Sequence, residues 1–388
     1  VFSSRVPEEL VPNRIAAARA ASPPRFDLTV SNPTECGIAY PPDLLAPLAD
    51  PAGLAYRPDP RGLAVARTAV AQEYRRHGIA VDPGRVLLTA STSEAYAFLF
   101  KLLAEPGEAV LVPTPSYPLF EHLARVEGVR ALPYQLDPEA SWRLDVAALA
   151  HAPESVRAVI VVHPNNPTGS FVHAEDGAAL AALAADRGWA LIADEVFLDY
   201  PLTPQPGIAT TFAARDDVLT FTLGGLSKSV GLPQLKLAWM VTSGPERPVA
   251  AALDRLEFIA DTFLSVATPV QLALPALLYQ GVVVREAIVA RCRSNLTVLQ
   301  AMLGELPAVS ATPPEGGWSA MLRIPAIVGE EELVLKLLGE DGVAVHPGYF
   351  FEFPGEGTLV LSLLPEPGIF AEGVQRLLRR LAAYLGTP

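Results

Sequence analysis

An amine, a carboxylate and an amide stand at or just beyond the ends of three apolar runs, a set suited to imine chemistry on an aromatic ring. Lys228 lies in Gly224-Gly225-Leu226-Ser227-Lys228-Ser229, directly after Val218-Leu-Thr-Phe-Thr-Leu223. Asp194-Glu195 closes Trp189-Ala-Leu-Ile-Ala193, and Asn165-Asn166-Pro167-Thr168-Gly169 comes shortly after Ala158-Val-Ile-Val-Val162. Pyridoxal phosphate chemistry requires those three groups: a lysine to form the imine, an acid facing the pyridine nitrogen, and a donor to the ring oxygen. Ser91-Thr92-Ser93-Glu94 opens a helical stretch after another apolar run. Free N–H groups and hydroxyls at such a start can hold a phosphate, although a plain Ser cap with an acidic first turn has the same sequence. Tyr117, after Thr114-Pro-Ser, can stack on a ring or simply pack, and Tyr56 sits in the loop Tyr56-Arg-Pro-Asp-Pro-Arg-Gly62.

These groups can meet only if the runs that carry them are neighbouring strands. Between residues 62 and 270 the pattern alternates helix and strand: helical spacing over 62–77, a strand over 85–89, a helix over 91–103, a strand over 109–112, a helix over 175–187. Short apolar runs alternating with helices predict an α/β fold, a mostly parallel sheet sandwiched by helices, with ligands at its carboxyl edge. Residues 1–40 read as an N-terminal arm with one helix, Arg14 to Ala21, belonging to a smaller unit; 41–275 as a large cofactor-binding domain; 276–388 as a small α+β domain. In the last, a helix is expected over 283–303, strands at 316–323, 343–345 and 359–361, and a terminal helix over 370–385.

The chain has 388 residues, half of them hydrophobic (50%) and 18% charged, a folded composition. With 29 Lys and Arg against 42 Asp and Glu, the net charge is −13, which disfavours nucleic acid and anionic lipid as partners. Cys36 and Cys292 form no disulfide framework or CxxC motif, and the six histidines show no paired ligand spacing, so no metal site is expected. No GxSxG elbow, Walker loop or GxGxxG occurs. The opening Val1-Phe-Ser-Ser-Arg5 has no signal-peptide pattern, and no apolar stretch is long enough to span a bilayer; a cytoplasmic enzyme is the expectation.

In order and spacing these motifs resemble the class I/II aminotransferases of the fold-type I pyridoxal phosphate family, from about residue 27 to 381. The resemblance implies that Lys228 carries the internal aldimine and shuttles the proton, that Asp194 pairs with the pyridine nitrogen, and that Asn166 binds the ring oxygen. It implies that Tyr117 stacks on the ring, that Ser91, Thr92 and Ser93 hold the phosphate, and that Lys236 stands where the family usually has a phosphate-binding arginine. Tyr56 matches a tyrosine that reaches the neighbouring subunit's phosphate, which implies a homodimer with shared active sites acting on a small-molecule amino donor and keto acceptor.

Three positions depart from the pattern. Phe197 replaces a phenol beside the ring oxygen, Gly225 replaces a serine, and Val360 occupies the place of the substrate-carboxylate arginine just before Leu361-Ser362. Valine cannot form the bidentate pair that anchors an α-carboxylate. Either another cation serves, with Arg5, Arg14 and Arg61 as candidates, or one substrate lacks that carboxylate. The alternative reaction on the same framework is that of a lyase, decarboxylase or cyclase.

Overall fold

The computed structural model describes residues 1–8, 10–203 and 206–386. Its strands are β1 (Phe26–Asp27), β2 (Val86–Thr89), β3 (Ala109–Thr114), β4 (Arg130–Asp137), β5 (Arg143–Leu144), β6 (Val156–Val162), β7 (Ala190–Asp194), β8 (Thr220–Gly225), β9 (Ala238–Ser243), β10 (Ser319–Arg323), β11 (Val343–Ala344), β12 (His346–Pro347) and β13 (Thr358–Ser362). Eight of them form one sheet in the order β2-β9-β8-β7-β6-β3-β4-β5. The steps from β8 through β7, β6 and β3 to β4 are parallel; β9 runs antiparallel to both its neighbours, and β5 to β4.

The central strands are apolar throughout because both faces are covered. Alternate side chains of a strand point to opposite faces, and here they enter two separate cores. Val110, Val112, Ala158, Ile160, Ile192, Phe221 and Leu223 pack with the helices Thr92–Leu103, Leu119–Glu127 and Glu246–Phe263. Ala109, Leu111, Val159, Val161, Leu191 and Ala193 pack with the helix Ala174–Arg187. A slip of one residue in any of these strands would exchange its two faces, so the register that brings Val162 beside Asp194 is strongly specified.

The antiparallel β9 and the outer β4 and β5 are not apparent from sequence. β4 alternates exposed and buried positions only at its end and carries Pro133, which reads as a break; the proline is tolerated because most of that strand's outer edge is unpaired. The helix Arg14–Ala21 forms as expected, capped by the Asn13 side chain on Ala16 N–H at 2.8 Å. The terminal helix starts earlier than its apolar spacing indicates, at Pro367, because proline suits a first helical position. The expected strand over 343–345 is split: β11 pairs in parallel with β1, and β12 joins β10 and β13 in a three-stranded antiparallel sheet. Arg14 meets Glu331 at 2.6 Å, so the N-terminal stretch is held against the C-terminal elements.

Among the described residues no single helix is long and apolar enough to cross a membrane. The pair Thr268–Gln280 and Val282–Leu303 passes that test only jointly, with a 53° bend, and both contribute buried side chains to the core.

Candidate active site

β6, β7 and β8 end side by side, and the residues beyond their carboxyl ends close around a cavity of about 280 Å³. Lys228 lies on a single helical turn, Leu226–Ser229, that begins where β8 stops. Small residues are required there. A Cβ on Gly224 would come within 2.6 Å of Trp239 Nε1, and one on Gly225 within 3.0 Å of Ala238 Cβ. The crowding by Ala238 gives the glycine at 225, in place of the expected serine, a physical reason. The turn is pinned from behind: the Tyr200 hydroxyl donates to the Lys228 carbonyl, and Arg285 donates to the Ser229 carbonyl at 3.2 Å. Arg285 is buried and also paired with Glu73 at 2.8 Å and Asp199 at 3.2 Å.

The Lys228 amine points into the cavity, 5.0 Å from the centre of the Trp318 ring and 5.7 Å from that of Phe197. Burial lowers its pKa, and the opposing charge of Asp194 only partly restores it. A more readily deprotonated amine is a better nucleophile and a better proton acceptor. Asp194 is buried at the end of β7; its Oδ2 accepts from the Tyr96 hydroxyl at 2.8 Å and its Oδ1 from Val196 N–H at 3.2 Å. Burial raises its pKa, against those two hydrogen bonds and the nearby Lys228.

The paired asparagines divide their work. Asn165 is committed to structure, donating to the Pro115 carbonyl and Thr168 Oγ1 and accepting from Ser116. Asn166 lines the cavity; its Oδ1 accepts from Ser319 at 3.2 Å, and its Nδ2 has no partner among the described residues. Ser91, Thr92, Ser93, Ser227 and Lys236 also line the cavity. Ser91 is indeed a helix cap, accepting from Glu94 N–H while Glu94 accepts from Ala90 N–H. A Ser cap does not conflict with the anion-binding reading: the hydroxyl-bearing residues at this helix start and one lysine line the same cavity. Tyr117, half exposed, lines the same cavity.

Not every residue singled out from the sequence lines this chain's cavity. Tyr56 is 77% exposed and does not line this chain's cavity. The three candidate arginines are corrected: none lines the cavity, because each is engaged elsewhere. Arg61 pairs with Glu257 at 2.6 Å, Arg14 with Glu331, and Arg5 donates to the Val126 carbonyl. Val360 is 2% exposed and shares an apolar cluster with Met321, Phe351, Phe353 and Trp142. Sequence reasoning assigned no role to Tyr96, Ser227, Ser31, Trp318 or Ser319, all of which line the cavity. Ser227 could have been found from its place beside Lys228; Tyr96 lies within a helix, Ser31 on a loop, and Trp318 and Ser319 at the start of an expected strand whose spacing does not single them out.

Residues 38–370 match the family model described as aminotransferase class I and II. The chain belongs to that family. This aminotransferase is 27% identical over 373 residues to the glutamate-pyruvate aminotransferase AlaA of Haemophilus influenzae, covering 92% of this chain and 90% of the relative. It is 27% identical over 368 residues to the alanine aminotransferase of Mycobacterium tuberculosis, covering 92% and 85%. Its fold matches an alanine aminotransferase from Pyrococcus furiosus with a TM-score of 0.82 at 25% identity over 92% of each chain. An Escherichia coli aminotransferase gives a TM-score of 0.86 at 23% identity, over 99% of this chain and 98% of that one, a likeness of fold. The family typically uses pyridoxal phosphate, and the donor set of this aminotransferase fits that group: amine, acid, amide and a hydroxyl-lined helix start share one cavity.

Beside the site, Glu195 is buried and does not line the cavity; it accepts from Thr211 and from Phe212 N–H, both at 2.6 Å. Burial, with Asp194 and Asp199 adding repulsion, pushes its pKa from the ordinary 4.5 to about 8. Over that window the folded protein keeps a proton that the unfolded chain has released, so this group's contribution to stability is full below 4.5 and is lost as pH rises to about 8. In Glu195→Gln the thermal midpoint should fall less between pH 5 and 8 than in the parent. Parallel melting curves for the two proteins would refute the assignment.

Proposed function

We propose that this chain is a homodimeric, pyridoxal phosphate-dependent aminotransferase that moves an amino group between an amino donor and a keto acceptor. The reading rests on one observation: Lys228, Asp194 and Asn166 line the same cavity. Bound at those residues, the cofactor supplies an electron sink and a carrier for the amino group. Lys228 would be the covalent attachment point, and its amine would supply the base and acid for the proton at the substrate carbon. Asp194 keeps a negative charge opposite the ring nitrogen, Asn166 offers its Nδ2 to the ring oxygen, and Tyr117 covers one face of the ring. Ser91, Thr92, Ser93 and Lys236 hold the phosphate, with lysine acting as a point charge where a guanidinium would fork. Tyr56 reaches the partner's phosphate. Large apolar side chains left exposed at Leu54, Tyr56, Phe258, Phe263, Leu264 and Tyr279 support such an interface. The arm, large and small domains divide near residues 40 and 275.

The substrate is unusual. Lys228 and Lys236 are the cations that line the cavity among the described residues, and both have other tasks. Leu119, Phe120, Leu123, Val162, Val196, Phe197 and Trp318 make the rest of the wall largely apolar. We assign the preferred donor to amines in which an apolar or aromatic group, rather than a carboxylate held by arginine, makes the decisive contact. A donor screen on the holoprotein, following loss of the visible band, tests this. Aspartate is expected to have a kcat/KM about 100-fold or more below that of the best apolar amine, the scale of a lost bidentate ion pair. Efficient aspartate turnover would overturn the substrate assignment, and amine-dependent release of ammonia or carbon dioxide without a keto acceptor would overturn transamination. Sedimentation at micromolar concentration should give the mass of a dimer.

A further inference from the structure

Tyr96 is buried within the helix Thr92–Leu103, yet its hydroxyl reaches Asp194 Oδ2 at 2.8 Å across a sequence separation of 98 residues. Its ring has little freedom. Phe120 packs edge-on against it at 5.4 Å, and Phe100 lies tilted at 6.0 Å. The ring lines the cavity next to the carboxylate it serves. No other side chain among the described residues donates to Asp194; the remaining donor is the Val196 backbone N–H, on the other oxygen.

We propose that Tyr96 is the positioning residue of Asp194: its hydroxyl fixes the carboxylate's orientation and holds it in the anionic state that the buried site otherwise opposes. The proposal rests on the assignment of Asp194 to the ring nitrogen of pyridoxal phosphate. Three observations support it. A hydrogen bond to a buried carboxylate stabilises the charged form. The phenol itself does not ionise in competition, because burial and the neighbouring Asp194 charge push its pKa well above the ordinary value. Asp194 therefore always faces a donor at Oδ2. With one donor on each oxygen, the carboxylate is held in a defined plane, leaving lone pairs toward the cavity. Tyr96 touches neither substrate nor the reacting carbon in this scheme; it acts through Asp194.

The test is a double-mutant cycle with Tyr96→Phe and Asp194→Asn, read first as pyridoxal phosphate binding to cofactor-free protein by equilibrium dialysis. Phenylalanine keeps the ring and its packing and removes only the hydroxyl; Tyr96→Met serves as a second hydroxyl-free variant should Phe fold poorly. In the Asp194 background, loss of the hydroxyl is expected to weaken cofactor binding about tenfold, the scale of a hydrogen bond to a charged group. It should also lower kcat about tenfold, with KM for the amino donor changed less than about twofold. In the Asp194→Asn background the same change should have almost no further effect, since the charge it supports is gone. Equal losses in both backgrounds would reveal a packing role and overturn the proposal, as would unchanged binding in Tyr96→Phe. Parent protein that takes up no pyridoxal phosphate and develops no visible band would overturn the underlying reading, and with it the role of Tyr96. The two failures are thus distinguishable.

Discussion

Lys228→Ala is expected to yield a folded protein that is colourless with pyridoxal phosphate and at least about 10³-fold slower in turnover. The size follows from two losses. Among the described residues the amine is the only lysine nitrogen in the cavity besides Lys236, and it is placed on a turn held by Tyr200 and Arg285 through main-chain carbonyls. Removing the side chain leaves those backbone bonds intact, so the fold survives while both the covalent attachment and the proton carrier disappear. The side chain forms no hydrogen bond or ion pair among the described residues, so its removal strands no buried partner. Absorbance with added cofactor and a melting curve test both halves. A retained visible band would remove Lys228 from its role, and a collapse in melting temperature would show that the side chain supports structure.

Asp194→Asn should preserve shape and cost about 10²–10³-fold in kcat, the scale of losing one preorganised electrostatic partner. The amide can still accept from Tyr96 or Val196, so the local hydrogen bonds adapt. What it cannot supply is a negative charge opposite the ring nitrogen. Cofactor should still bind, and the protein should still be coloured, which separates this result from that of Lys228→Ala. A turnover rate within about threefold of the parent would show that the charge at 194 is not used.

Much of the fold and the site is legible in the chain because apolar runs end where chemistry begins. Asp194 terminates a buried strand, Lys228 follows one on a turn of small residues, and Asn166 lies four residues beyond the end of another in a Pro-Thr-Gly turn. A parallel sheet delivers such ends to one edge without needing long-range knowledge. Tyr96 illustrates the limit. It occupies a helical position with Phe98 to Phe100 around it and reads as another core aromatic, since nothing local reveals that its polar tip meets a strand end far along the chain. Ser31 fails because the loop that brings it to the cavity carries no period, and Trp318 because it stands at the start of an expected strand, where an aromatic reads as core. The partner of an arginine is not legible from its segment: Arg61, for example, does not line this chain's cavity and pairs with Glu257. Strand β9, though apolar and fully buried, gives no local sign of its antiparallel direction, because that is set by its pairing with β8 and β2.

The cavity wall has two structural origins. Lys228, Asp194, Asn166 and the hydroxyls at 91–93 stand on or beside the eight-stranded sheet, whereas Trp318 and Ser319 adjoin the three-stranded one, and Ser31 follows the stretch in which Leu28 is tied to Ser362 at 2.7 Å. Leu363 N–H bonds to the Trp318 carbonyl at 2.7 Å, joining those segments into a unit. A substitution confined to that unit is expected to reshape the wall at Trp318, Ser319 and Ser31 while leaving Lys228, Asp194 and Asn166 where the larger sheet holds them. On that expectation, selectivity and reactivity can drift independently within a single polypeptide.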